Sequence, residues 1–257
     1  MRKILFATIM LYVMSLSGAA QISMRQFLKD SRPGETFLKG DYTSREDAPV
    51  LGCWMGAVNT NPSRGERDPL AAEPLFWAGY GERDNSIALG SSFPSGVHGQ
   101  NPLCYGFQRR INTGDMYLSF IIDLQVVRNR KYWTAVGFSS QTWGVSHWCC
   151  AVFYPAGTDG NTYNIGIRLH GGLMVLDRIF KAGQKHLVVL KYNFDSTKLS
   201  VFIDPDLSKP EPLPDEKVYA AINHKENIVS GLYFRDVSDN VGRIGGFRVA
   251  RVWEDIR

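Results

Sequence analysis

The 257-residue chain is poor in the features that mark nucleic-acid binding, membrane spanning or a known catalytic motif. It has no run of five to eight consecutive Lys and Arg residues, which argues against a nucleic-acid partner. After the N-terminus, no apolar run approaches the roughly 20 residues of a transmembrane helix. The G-x-S-x-G, H-E-x-x-H and Walker motifs are also absent, which excludes the commonest nucleophile-elbow, zinc-protease and P-loop sites.

The N-terminus does carry a targeting pattern. Arg2 and Lys3 precede an apolar run over residues 4–16, and small residues at 17–20 lead to Gln21. This layout predicts a secretory signal peptide that is cleaved near Ala20. A membrane anchor is the alternative, but about 13 apolar residues are too few to cross roughly 30 Å of hydrocarbon. We therefore expect a soluble protein that is secreted, periplasmic or held at the cell surface.

Charge and cysteine content suit that expectation. Without the two basic residues of the signal, 27 basic residues remain against 25 acidic ones. The four cysteines are Cys53, Cys104, Cys149 and Cys150, and four cysteines allow three complete disulfide pairings. Adjacent residues have Cα atoms about 3.8 Å apart, which is below the usual disulfide separation. We expect a Cys53–Cys104 bridge and leave Cys149 and Cys150 as buried thiols; no zinc-site spacing is present.

Helical periodicity is almost confined to residues 23–30, where the sequence predicts a short helix that ends at "SRPGE". Short runs rich in β-branched and aromatic residues follow, at 116–127, 132–140, 147–155, 163–170, 186–194 and 198–204. The polar turn "NFDSTK" predicts an antiparallel hairpin between the last two. The domain prediction is a signal peptide over 1–20, an N-terminal helix and linker over 21–50, and an antiparallel β-sandwich over 51–257.

The C-terminal half resembles a known family. The stretch "HLVVLKYNFDSTKLSVFIDPDL" and the ending "GRIGGFRVARVWEDI" are similar to the hairpin and closing strand of secreted bacterial laminin G-like proteins with a concanavalin A-like lectin/glucanase jelly roll. The similarity covers roughly residues 110–256. Asp204 stands where the family often has Asn, and Ala250-Arg251 replace a small Gly-Thr/Ser step. The matching positions are Lys191, Tyr192, Phe194, Asp195, Leu199, Val201, Ile203, Pro205, Asp206, Ile244, Phe247, Arg248, Val249, Trp253, Asp255 and Ile256.

The resemblance implies a jelly roll whose last strand seals the sandwich edge beside the first strand, with Phe247 and Val249 on one face. It does not imply an activity, because the superfamily includes lectins, binding modules and glycosidases. Jelly-roll hydrolases often carry their acids in E-x-D-x-x-E or E-x-D-x-E runs, and this chain has none. The acidic clusters lie in turns, where acids are common. We therefore favour a protein that is not an enzyme.

Aromatic residues in polar loops are the positive signal for binding. Trp143 lies in "SSQTWGVSHW" beside Gln141, and "FWAGYGERD" contains Trp77, Tyr80 and Arg83. Sugar rings stack on aromatic planes while nearby polar groups hold their hydroxyls, so these five residues are the predicted ligand site. Packing of Trp143 against the sandwich rim is the alternative.

Calcium is the one cofactor that the sequence allows. Lectin-like jelly rolls often hold it, and "DVSDN" before the closing strand offers Asp236, Asp239 and Asn240 as oxygen ligands. We favour a hydrogen-bonded turn as the interpretation of the same residues and expect no cofactor, with calcium as the alternative.

Three functions remain open. The leading hypothesis is a non-catalytic, lectin-like protein whose partner is a glycan or cell-surface polymer. The second is a structural or adhesion protein, which would show an exposed apolar patch of several hundred Å². The third is a glycoside hydrolase with an unrecognised carboxylate pair, which needs two facing acids in a groove.

Overall fold

A computed structural model describes residues 33, 42–43, 54–56, 70–80, 84–89, 103–128, 134–140, 149–219, 227–236 and 240–256. These residues form fifteen β-strands and one 3-10 helix, Trp253–Ile256. The helix predicted at 23–30 lies outside the described residues. The strands are β1 Tyr42–Thr43, β2 Trp54–Gly56, β3 Ala71–Ala72, β4 Ser86–Ala88, β5 Leu103–Ile111, β6 Asp115–Val126, β7 Thr134–Ser139, β8 Cys149–Pro155, β9 Thr162–Leu169, β10 Gly172–Lys181, β11 Lys185–Asn193, β12 Lys198–Ile203, β13 Glu216–Tyr219, β14 Val229–Asp236 and β15 Val241–Ala250.

The strands form two stacked sheets. The eight-stranded sheet has the order β1-β2-β5-β14-β7-β8-β9-β10, and the seven-stranded sheet has the order β13-β12-β11-β6-β15-β4-β3. Every pairing is antiparallel except that of β1 with β2. The predicted all-β fold, an antiparallel β-sandwich, is therefore confirmed. None of the helices among the described residues is long and apolar enough to cross a membrane.

The main core lies between the two sheets, and the period-2 pattern of β6 shows how the sequence builds it. Met116, Phe120 and Leu124 point inward and are fully buried, together with the intervening Leu118 and Ile122. The alternate residues of β6 face outward and meet a different set of side chains. Because successive side chains of a strand point to opposite faces, this one strand contributes to two separate layers.

The predicted hairpin of β11 and β12 is also confirmed. The two strands pair from Val188–Ile203 to Asn193–Lys198, so the turn lies where "NFDSTK" placed it. Thr197 has a φ of 46°, in the left-handed region that tight turns require.

The closing strand lies in the interior of its sheet and not at its edge. β15 pairs with β6 on one side and with β4 on the other, while β3 and β13 are the edge strands. The expectation that it seals an edge beside the first strand is wrong, because β4 adds beyond it and β1 belongs to the other sheet. The predicted facing is correct: Phe247 and Val249 are fully buried in the core between the sheets.

The cysteine expectations are met in part. Cys149 and Cys150 are buried free thiols that face the inter-sheet core and the outer face of the eight-stranded sheet, as adjacent strand residues must. Cys104 is also a buried free thiol, so the expected Cys53–Cys104 bridge is wrong in this structure. Burial raises the pKa of Cys104 to about 12 and that of Cys150 to about 11.

Candidate functional site

The outer face of the seven-stranded sheet carries a row of charged residues across three adjacent strands. Arg243 of β15 is the Cα partner of Asp123 of β6, and Asp123 is in turn the partner of Lys185 of β11. The neighbours of Asp123 along β6, Ile122 and Leu124, belong to the inter-sheet core, so the Asp123 side chain points outward.

Hydrogen bonds hold this row together. Asp123 is only 6% exposed; its Oδ1 accepts a hydrogen bond from Gln125 Nε2 and its Oδ2 accepts one from Arg243 Nε at 3.4 Å. Arg243 Nη1 also donates to the carbonyl oxygen of Glu73 at 3.3 Å. Within the described residues, Arg243 Nη2 and Gln125 Oε1 make no hydrogen bond. One donor and one acceptor therefore remain available on either side of a buried carboxylate.

These groups line an open cleft of about 570 Å³, which we call the charged cleft. Its polar lining consists of Glu73, Asp123, Gln125 and Arg243. A volume of this size is within the range of small-molecule sites, which combine apolar walls with a few convergent polar groups. The remaining lining residues are Pro33, Leu70, Ala71, Ala72, Ala88, Val241 and Gly242.

An exposed aromatic ring lies next to the charged row. Lys185 Nζ donates to the carbonyl oxygen of Phe76 at 3.4 Å, which places Phe76 beside the strand that flanks Asp123. The Phe76 side chain is 50% exposed, whereas the adjacent Trp77 is partly buried against an apolar cluster on the outer face. The sequence analysis selected Trp77 and missed Phe76. Adjacent residues of an extended segment point to opposite sides, so only one ring of the dipeptide "FW" packs inward and the other is exposed. That alternation is the signal that identifies Phe76 as the second candidate.

Tyr80 occupies a position that does not fit the predicted stacking role. Its ring is only 4% exposed, and its hydroxyl donates to the carbonyl oxygen of Gly246 and lies 2.8 Å from Ser119 Oγ. The guanidinium of Arg248 covers the ring at 3.9 Å. A ring covered in this way has no face to offer a sugar, so Tyr80 is a packing residue that joins the 70–80 segment to the sheet.

Three predicted ligand residues, Arg83, Gln141 and Trp143, lie outside the described residues, and so does the calcium candidate Asp239. Of Asp236 only the backbone is described, as the last residue of β14. Asn240 is 1% exposed; its Oδ1 accepts from the backbone N–H of Arg128 at 3.2 Å and its Nδ2 donates to Thr134 Oγ1 at 3.0 Å.

The Asn240 amide group therefore connects the segment after β6 to the start of β7, and the calcium role of Asp236, Asp239 and Asn240 stays a prediction. Across the described part of the chain, no three His, Cys, Asp or Glu side chains are grouped as a metal ion would need.

A pair of carboxylates lies on the same outer face, near the start of β6. Lys191 Nζ is 2.9 Å from both carboxylate oxygens of Glu211 and 3.1 Å from Asp115 Oδ2. Tyr117 donates a hydrogen bond to Glu211 at 2.7 Å. The ammonium group lies between the two acids, at the position where a hydrolase would need the glycosidic oxygen. The geometry is that of an ion-pair cluster that holds the 204–215 segment on the sheet.

No family model matches the chain, and no curated protein matches it. Solved structures match loosely over much of its length. The chain is 10% identical to a lectin from Bauhinia forficata in complex with GalNAc, over 71% of this chain and 98% of the lectin, with a TM-score of 0.41. It is 11% identical to the native heptameric SAP-like pentraxin from Limulus polyphemus, over 66% of this chain and 79% of the pentraxin, with a TM-score of 0.40.

A third match is the CBM2 module of the evolved Dit protein of a Lactobacillus casei phage. Identity is 10%, over 80% of this chain and 93% of the module, with a TM-score of 0.44. At these identities and TM-scores the matches carry no conclusion about a ligand. The fold assignment rests on the strand order of the two sheets.

Proposed function

We propose that the protein is an exported, lectin-like domain that binds a glycan in the charged cleft without cleaving it. The observation that carries the proposal is that a donor, Arg243 Nη2, and an acceptor, Gln125 Oε1, are both available to a ligand on either side of Asp123. Each sugar hydroxyl both donates and accepts, so neighbouring hydroxyls require such mixed groups at one place. The signal-like N-terminus supports export.

Phe76 supports the same ligand class. It is an exposed ring next to a polar row, and the contact between Lys185 and its carbonyl oxygen holds its backbone in place. A sugar that places its hydroxyls against Arg243 and Gln125 can lay an apolar C–H face on an aromatic ring nearby. Trp77 is a second ring at this end of the sheet, and the predicted Trp143, Gln141 and Arg83 remain candidates for further contacts.

The absence of cleavage is proposed from how the acids are held. Glycosidases need two carboxyl groups at a defined separation with nothing between them except the substrate or a water molecule. Asp123 already accepts bonds from Gln125 and Arg243, and Lys191 fills the space between Asp115 and Glu211. Glu73 also borders the charged cleft, so an assay for new reducing ends belongs with every binding measurement.

The test begins with an array of neutral and acidic oligosaccharides, followed by calorimetry on the best ligand. Phe76→Ala and Gln125→Ala should each weaken binding by about tenfold, the equivalent of about 1.4 kcal/mol. Tyr219→Ala is the matched control, because Tyr219 is an aromatic residue of 59% exposure on the distant strand β13. Equal affinity in all three variants, or no ligand on the array for the folded protein, would contradict the proposal.

A second candidate function is adhesion to another protein through β10, an edge strand of the eight-stranded sheet. Four apolar residues of β10, Leu173, Met174, Val175 and Ile179, are 41–65% exposed. Exposed apolar edge strands are sites where another chain adds a strand. Val175→Lys should abolish any partner binding that depends on this edge and leave glycan binding unchanged.

A further inference from the structure

His186 lies at one end of the sandwich, where the side chains of both sheets meet. Its neighbour Leu187 faces outward and Val188 faces the inter-sheet core, so the alternation of β11 turns His186 inward. The imidazole is only 5% exposed, and its Nδ1 is 2.7 Å from Asp204 Oδ2. The other oxygen of Asp204 accepts the backbone N–H of Leu187 at 2.9 Å, which fixes the carboxylate against the start of β11.

Aromatic rings from the opposite sheet enclose the imidazole. Phe180 of β10 meets it edge-on at 5.0 Å, and Tyr163 of β9 stacks on Phe180 at 5.6 Å. The ring centroids of Tyr163 and His186 are 6.4 Å apart. On the solvent side, the guanidinium of Arg178 lies 4.7 Å from the Phe180 ring and 3.9 Å from Asp204 Oδ2. The Phe180 ring and the Arg178 guanidinium therefore separate the His186 imidazole from solvent on this side.

Two polar atoms inside this enclosure have no hydrogen-bond partner among the described residues: Tyr163 Oη and His186 Nε2. A carboxylate can only accept, so Asp204 assigns the proton of the neutral imidazole to Nδ1 and leaves Nε2 as an acceptor. The Tyr163 hydroxyl is a donor and an acceptor. Burying both polar groups without a hydrogen-bond partner is costly. Native proteins commonly satisfy such groups with an internal water molecule.

The Tyr163 ring and the imidazole lie close together, with their centroids 6.4 Å apart. The pKa of Tyr163 is raised, first by burial and then by the negative charges of Asp204 and Asp123. Asp204 is the hydrogen-bond partner of His186, and the close approach of the two rings places both unpaired atoms in one neighbourhood.

We propose that Tyr163 Oη and His186 Nε2 form a buried binding site for one hydrogen-bonding molecule of the size of water. That molecule accepts a hydrogen bond from the Tyr163 hydroxyl and donates one to His186 Nε2. The result is a polar chain from β9 through the bound molecule and His186 to Asp204, at the end of β12. Such a chain connects the two sheets of the sandwich, in addition to the contact between Arg178 and Asp204.

The test is the sign of the stability change in Tyr163→Phe. If the hydroxyl holds a bound molecule, removal of the hydroxyl leaves that molecule beside His186 without its second hydrogen-bond partner and lowers the Tm by several degrees. If the hydroxyl is bare, its removal leaves the Tm unchanged or raises it. Tyr192→Phe is the matched control, since the buried Tyr192 hydroxyl donates directly to Asn227 and its loss must lower the Tm.

A crystal structure of the unmodified protein, at a resolution that shows ordered water, gives the second readout and does not depend on whether the variant folds. The expected result is density for one small molecule within hydrogen-bond distance of both Tyr163 Oη and His186 Nε2. That density together with a lower Tm for Tyr163→Phe supports the proposal. Missing density, or a Tm that stays the same or rises, overturns it.

Discussion

The guanidinium carbon of Arg248 lies 3.9 Å from the centroid of the Tyr80 ring, and the same arginine donates from Nη1 to the carbonyl oxygen of Ile256 at 2.9 Å. Arg248 is 2% exposed and belongs to β15, whereas Ile256 ends the C-terminal 3-10 helix. One buried cation therefore fastens both the 70–80 segment and the chain end to the outer face of the seven-stranded sheet.

Arg248→Met should lower the free energy of unfolding by about 3 kcal/mol, because it removes a charged hydrogen bond and a desolvated cation–π contact together. Urea denaturation measures this change. Arg109→Met is the control: Arg109 is exposed, and its substitution should stay within about 0.5 kcal/mol. A loss below about 1 kcal/mol for Arg248→Met would show that the contact with Tyr80 does not stabilise the fold.

Trp253 is the main apolar anchor of the chain end. It is 3% exposed and packs on Phe202 and Tyr117, with ring centroids 5.2 Å and 6.1 Å away. Trp253→Ala should therefore cost about 3–5 kcal/mol of stability. The neighbouring Val252 is 42% exposed, so Val252→Ala should have little effect in the same denaturation series. Similar small losses for both variants would mean that the C-terminal helix is not part of the cooperative unit.

Much of this fold could be predicted from local sequence. The strand predicted over residues 116–127 differs from β6 by a single residue at each end. The agreement is close because a long alternation of side chains determines which face of a strand is buried. The inward positions of Phe247 and Val249 follow from the same period. The hairpin of β11 and β12 was also predictable, since its turn residues adjoin both strands.

The candidate site was not predictable in this way. Asp123, Lys185 and Arg243 are unremarkable in their own strands, and only the order β11-β6-β15 makes them neighbours. The burial of Tyr80 depends on Arg248, which lies in a distant part of the sequence. A pattern in "FWAGYGERD" can identify aromatic residues, but which ring faces solvent is decided by the sheet that the segment crosses.

The Lys191 cluster predicts a loss of stability in alkali. Burial of Lys191 favours its neutral form, but hydrogen bonds with Tyr117, Glu211 and Asp115 outweigh this, and the net effect raises its pKa. A raised pKa means that the stabilisation is complete below the ordinary lysine pKa of about 10.4 and declines as the pH rises above it.

The free energy of unfolding, measured by urea denaturation, should therefore be lower at pH 11 than at pH 9. Lys191→Met should make this decrease with pH smaller. A slope that is equally steep in the variant would assign the alkaline loss to other groups. Tyr117, whose pKa burial also raises, contributes in the same direction and is measured separately with Tyr117→Phe.

The thiols should be unreactive in the folded protein. Cys104, Cys149 and Cys150 are all buried, and burial raises the pKa of each, so little thiolate exists at neutral pH. Iodoacetamide at pH 8 followed by peptide mass spectrometry should find these three unlabelled until denaturant is added. Recovery of a peptide that joins Cys53 and Cys104 under non-reducing conditions would contradict the free thiol at Cys104.

The central claim, a glycan site in the charged cleft, is tested most directly by mapping backbone amide shifts on a deuterated sample. The ligand selected on the oligosaccharide array is titrated into the isotope-labelled protein. We predict that the shifts concentrate on Asp123, Gln125, Gly242 and Arg243, with Phe76 at their margin. Shifts confined to β10, or to the outer face of the eight-stranded sheet, would contradict the account.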